Sequence, residues 1–154
     1  MANVDILRDE IANDPLSRGY AAMADSQIAD SLNLPGRPGK RPVPATDVRL
    51  YVLLNGLFPG IQNLAATGQD PMQRGTAITI LQTIAPNSFD TIRMNLPNVH
   101  AAVSQMLQTM VDAGVMTPQH RTDMLALGDT TISRAQELGL PTVHHLDVAE
   151  ARNG

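Results

Sequence analysis

Proline and glycine cut this chain into pieces too short to persist as helices alone. Between Leu34 and Thr46 it reads LPGRPGKRPVPAT, where Pro35, Pro38, Pro42 and Pro44 are interleaved with Gly36 and Gly39. Proline offers no backbone N–H and pushes the residue before it out of the α region, so no helix crosses that stretch. Similar punctuation recurs at Asp14-Pro15, Asn55-Gly56, Gly68, Asp70-Pro71, Pro97, Gly114, Thr117-Pro118, Gly128-Asp129, Gly139 and Pro141. Isolated helices shorter than about 12 residues are marginal in water. The pieces must therefore shield one another.

Most of the pieces read as amphipathic helices. Val4, Leu7 and Ile11 recur at three- and four-residue spacing among Asp5, Arg8, Asp9 and Glu10, which predicts a helix from Val4 to Asn13. Pro15 ends it, Gly19 permits a bend, and Leu16 and Tyr20 can cover the helix end. A second helix is expected from Asp25 to Leu32, with Ile28, Ala29 and Leu32 inward and Asn33 as its carboxyl-terminal cap. Thr46 can cap a third, running through Val48 to Leu54, which is apolar nearly all round and is expected to be central. A short helix over Gly60 to Ala66 follows, and Asp70-Pro71 starts another over MQRGTAITILQTI, whose β-branched residues also permit a strand. Val99, Val103, Met106, Leu107 and Met110 mark the clearest helix, from Pro97 to a left-handed Gly114. Thr117-Pro118 opens the next, which either breaks at Gly128-Asp129 or continues through Ile132 and Ala135 to Gly139. A last helix is expected from Leu146 to Arg152.

At 154 residues the default is one domain, spanning 1–154, with 34–46 as an extended, polyproline-like crossing segment or arm. The fold class expected is all-α: a compact bundle of about seven to nine short helices with little or no sheet. With 3% aromatic residues and no tryptophan, the core has to be aliphatic and methionine-rich. The opening MANVDILRDE does not resemble a signal peptide, and no window reaches the ~20 apolar residues of a membrane span. A soluble protein made in the cytoplasm, with no membrane partner, is expected. A net charge of −4 disfavours broad binding to nucleic acid, which needs a coherent basic surface.

Candidate chemistry is thin. There is no cysteine, hence no thiolate metal site or cysteine nucleophile. His144-His145 with Asp147 and Glu150 is the best metal-like cluster, yet adjacent helical residues diverge by about 100° and cannot readily share an ion. His100 and His120 sit on polar helix faces without an HExxH-type partner. Glu10 and Asp14 could be imagined as a glycosidase pair, but they project from one helix end and its turn, and read as a solvated face. Ser17, Ser104 and Ser133 lack a nucleophile elbow. PGRPGK departs from a phosphate loop at Arg41 and Pro42. No catalytic residue, cofactor, metal or small-molecule substrate is expected. Arg37, Lys40 and Arg41 form a local basic stretch that could touch nucleic acid or an acidic patch on another protein, and reads first as a solvated loop. Met72, Met94, Met106, Met110, Met116 and Met124 read first as core filling and second as an adaptable interface.

Two longer segments carry a resemblance. LRDEIANDPLSRGYAAMADSQIADSLN, Leu7 to Asn33, and TTISRAQELGLPTVHHLDVAEAR, Thr130 to Arg152, resemble the two ends of a family of small tailed-bacteriophage, virion-associated proteins. The shared features are a DPLxRGY turn and an SRAxELGL helix end. One departure is Ala24, where threonine would complete a capping box with position 27; Gln27 remains, so Asp25 or Ser26 is expected to cap instead. The resemblance implies a structural virion component and brings no catalytic residues with it. Arg18 and Tyr20 beside Gly19 look like a docking corner, and Arg134 with Glu137 can do similar work, either at a subunit interface or by tying the chain ends together. The function expected is that of a non-enzymatic virion protein of the tail or head-tail junction, packing on itself and on other virion structural proteins. The alternatives are an intracellular phage binding module, such as an assembly chaperone or small regulator, and a capsid decoration protein. A small hydrolase has little to recommend it.

Overall fold

The computed structural model describes residues 3–88 and 90–154. Among them, nine α-helices are joined by short connections and two small two-stranded sheets. The chain is helix-rich, as its pattern predicts. Its contacts cluster in two compact units: Met1–Gly39 with Thr130–Gly154, and the intervening Lys40–Asp129.

The first unit joins the two chain ends. It contains α1 (Val4–Asn13), a 3₁₀ turn (Tyr20–Ala22), α2 (Asp25–Asn33), α8 (Arg134–Glu137) and α9 (His145–Asn153). Leu7, Tyr20, Ile28, Leu32 and Val148 are wholly buried at its centre. Asn3 caps α1 through Oδ1, which accepts from the N–H groups of Asp5 and Ile6. Asp14 takes a left-handed conformation before Pro15 and ends the helix.

Two local expectations are corrected in this unit. Asn33 is not a cap but the last residue of α2, and its side chain brackets Val143, donating to the carbonyl (2.7 Å) and accepting from the N–H (3.0 Å). The helix start does not move to Asp25 or Ser26, because Gln27 Oε1 still accepts from the Ala24 N–H at 2.9 Å. Half of a capping box suffices to hold it.

The second unit contains α3 (Ala45–Leu54), α4 (Phe58–Thr67), α5 (Pro71–Thr83), α6 (Pro97–Asp112) and α7 (Pro118–Ala126) around Val52, Ile61, Ala77, Ile84 and Met110. Asp70 caps α5 by accepting from Met72 and Gln73, so the β-branched run is helical, not a strand. Gly114, at φ 77°, closes α6: its N–H bonds the Val111 carbonyl and the next N–H reaches back to Met110. Thr46 is not the cap of α3, which begins one residue earlier, directly after Pro44. Nor is α3 enclosed all round: Leu50, Leu53 and Leu54 are exposed.

The little sheet present lies at positions that were not anticipated. The segment from Pro35 is not merely an extended arm, since β1 (Pro35–Lys40) pairs with β4 (Asp129–Ser133). That ribbon also settles the question at Gly128-Asp129: the helix breaks there and a strand follows. Gly39 is required by the pairing, because a Cβ at that position would lie 2.7 Å from Ile132 Cγ2. β2 (Val43–Pro44) pairs antiparallel with β3 (Thr91–Ile92), matching Val43 with Ile92.

Candidate functional site

The densest polar arrangement lies in the first unit, where segments Leu7 to Asn33 and Thr130 to Arg152 meet. Arg134 grips Glu10 with a two-pronged contact, Nε to Oε1 at 2.9 Å and Nη2 to Oε2 at 2.8 Å, across 124 residues of sequence. The remaining Nη1 bonds Glu137 at 2.8 Å, and Arg37 grips Glu137 from the other side at 2.9 and 3.2 Å. Tyr20 donates its hydroxyl to Glu10 at 3.3 Å. Two carboxylates and two guanidiniums alternate along a chain that ends on a phenol.

Glu10 is therefore not on a solvated face: it is only 4% exposed, and the carboxylate receives three donors. The helical position could have betrayed it, since Glu10 stands three residues from Leu7 and one from Ile11, on the margin of the apolar stripe. What the sequence could not show was the distant arginine that makes its burial tolerable.

The network shifts the titration of Glu137, Tyr20 and Arg134. Hydrogen bonds from Arg37 and Arg134 hold the Glu137 carboxyl at about 2. Burial, reinforced by the Glu10 carboxylate and only partly opposed by Arg18, pushes the Tyr20 phenol up to about 12. Hydrogen bonds that Arg134 donates to Glu10 and Glu137 raise its guanidinium further. These groups are arranged to lock positions together.

The DPLxRGY turn is organised by Asp14, whose Oδ1 and Oδ2 accept from the Arg18 and Gly19 N–H groups, both at 2.7 Å. Burial alone would raise that carboxyl, but these donors and the Tyr20 N–H outweigh it and hold it below the usual value. Gly19 sits at φ 82° and Ser17 at 52°. Arg18 reaches the Ser31 carbonyl in the last turn of α2 at 2.6 Å. Tyr20 is wholly buried. Of the three, Arg134 spans the two chain ends through Glu10, while Arg18 and Tyr20 bond within the amino-terminal segment, to Ser31 and Glu10. Other ties join the same ends: Arg152 bonds Asp25 and the Met23 carbonyl, and Arg8 bonds the Ala151 carbonyl.

Two of the three basic side chains in the stretch are paired as well. Arg37 belongs to the network above and Lys40 bonds Asp129. Arg41 is exposed, with its N–H on the Gly128 carbonyl. His144 precedes α9 at its cap position, with its N–H donated to Asp147, His145 is the first residue of α9, and His120 Nδ1 accepts from the Thr117 N–H as part of a capping box. No group of three or more metal-ligating side chains converges among the described residues. Met94, Met110, Met116 and Met124 are core residues; Met72 alone of the six is strongly exposed.

Outward apolar surface is found instead on α3 of the second unit. Leu50, Leu53 and Leu54 are 56%, 48% and 77% exposed and follow the i, i+3, i+4 spacing of one helix face. No helix among the described residues is long and apolar enough to cross a membrane. Comparison with protein-family models, curated proteins and solved structures finds no match to the chain.

Proposed function

We propose that the chain is a non-enzymatic structural component of a tailed-phage virion, of the tail or head-tail junction, acting by packing on copies of itself and on neighbouring virion proteins. The observation that carries this reading is the leucine face of α3. Three clustered leucines held toward solvent on a formed helix are suited to burial against another protein. The phage-like segments support the reading from a second direction. Their motif residues make internal contacts, Tyr20 and Arg134 on Glu10 and Arg18 on the Ser31 carbonyl, which suits them to holding a small folded unit together.

Function on this reading is geometric. A few exposed apolar side chains give a weak contact per copy, and repetition in a symmetric assembly multiplies it. Within the Arg37 to Pro44 segment, residues up to Lys40 and Val43–Pro44 belong to paired strands, with Arg37 and Lys40 already bonded to acids of the same chain. Quantitative mass spectrometry of purified particles tests the proposal. A virion component is recovered in fixed stoichiometry with the other structural proteins. A chain abundant in infected cells and missing from particles is an assembly chaperone or regulator.

A further inference from the structure

The second unit carries a complement to its own leucine face. A cavity of about 170 Å³, partly open to solvent, lies between α3, α5 and α6 beside β2 and β3. Val48, Ile80, Met94, Met106 and Met124 are among its walls, and the lining includes no charged side chain. Thr79 and Thr83 are its polar members, and each gives its hydroxyl hydrogen to a helix carbonyl four residues back, at 3.0 and 2.8 Å. A dry cavity of about 150 Å³ takes up a benzene ring. One of about 170 Å³ accommodates the isobutyl side chain of a leucine.

Knob and cavity stand on opposite sides of α3. With about 100° between successive residues, Leu50, Leu53 and Leu54 centre roughly 190° from Val48, which lines the cavity. A two-fold contact uses one patch on both partners and cannot join two opposed faces. A head-to-tail contact joins them directly, and generates a ring or a filament according to whether the rotation closes.

We propose that Leu54, flanked by Leu50 and Leu53, inserts into the apolar cavity of a second copy of this chain. This rests on the self-association in the proposed function and specifies its geometry. The thioethers of Met94, Met106 and Met124 let the cavity adjust around the incoming side chain.

Sedimentation velocity on the purified chain and two variants tests it. The parent shows mass rising with concentration. Leu54→Asp puts a charge on the knob at an exposed position, so it keeps its helical circular dichroism and loses roughly 30-fold or more in self-association. Thr83→Phe fills the cavity from its wall and loses association similarly. The decisive arm is the mixture: Leu54→Asp retains a cavity and Thr83→Phe retains a knob, so the two form a 1:1 complex that neither forms alone. A parent that stays monomeric overturns the inference, as does Leu54→Asp associating like the parent, or a mixture that stays monomeric. Should Thr83→Phe lose its helical signal, benzene serves in its place: it must dissociate the parent assembly, and failure to do so overturns the inference. Presence in particles is a separate readout, so a chain found in virions but monomeric in solution refutes this contact while leaving the proposed function standing.

Discussion

Removing Arg134 should unfold the first unit far more readily than removing Arg37, although both arginines hold Glu137. The difference lies in what each leaves behind. Without Arg37, Glu137 keeps Arg134, and both members of the lost pair were about a third exposed, so the cost expected is about 0–1 kcal/mol. Without Arg134, Glu10 stays buried, at 3% side-chain exposure, with only the Tyr20 hydroxyl to receive. Breaking a buried pair from one side costs about 3–5 kcal/mol. Because Arg134 itself is 14% exposed and admits some water, the lower end, about 3 kcal/mol, is the expectation for Arg134→Met.

The two tyrosines make the measurement local. Tyr20 belongs to the first unit and Tyr51 to the second, and the chain has no tryptophan, so in a Tyr51→Phe background the intrinsic fluorescence reports the first unit alone. With a urea slope of about 1–3 kcal/mol per molar, a loss of about 3 kcal/mol lowers the midpoint by about 1–3 M. The double variant Glu10→Gln/Arg134→Met removes the stranded charge and should recover about 2 kcal/mol relative to additivity. A midpoint for Arg134→Met matching that of Arg37→Met, or a double variant equal to the sum of its singles, refutes the claim that Glu10 depends on Arg134 for its burial.

Three further outcomes follow from the same geometry. Glu137 is held at about 2 in the folded chain against an ordinary glutamate value near 4.5, so the unfolded state takes the proton first as pH falls; stability of the first unit should decline between about pH 4.5 and 2, and Glu137→Gln should flatten that decline in urea titrations. Tyr20, raised to about 12 by burial, favours the neutral phenol in the folded state, so stability is full below about pH 10 and lost as pH climbs to 12; absorbance at the phenolate band in the Tyr51→Phe background should show ionisation well above that of free tyrosine. Gly39→Ala drives a methyl group into Ile132 and should cost about 1–3 kcal/mol, with the added variant Ile132→Ala restoring part of it in thermal melts.

Helix positions were legible because their signals are local. Asp70-Pro71, Thr117-Pro118 and Gly114 each fix a boundary through groups within a few residues, and the observed helices begin and end beside them. The strands were illegible for the complementary reason. A prolyl-glycyl stretch such as Pro35–Lys40 has little strand propensity, and its pairing with Asp129–Ser133 depends on a partner far along the chain and on Gly39 lying under Ile132. The expectation that α3 is central failed because an apolar composition says nothing about which side another element covers.

The same distinction explains the polar residues. Arg18, Tyr20 and Arg134 attract attention in the sequence because arginine and tyrosine commonly serve at interfaces, but residue type cannot distinguish an external partner from an internal one. Glu10 decides the matter. A carboxylate on the edge of an apolar stripe has to be either solvated or matched, and once it is buried, a guanidinium must come to it from elsewhere in the fold. That requirement commits Arg134 inward and draws Glu137 and Arg37 into line behind it, whereas Leu50, Leu53 and Leu54 of α3 stay exposed together on one helix face. Interaction in this chain is therefore better sought where apolar side chains lack cover than where charged ones are concentrated.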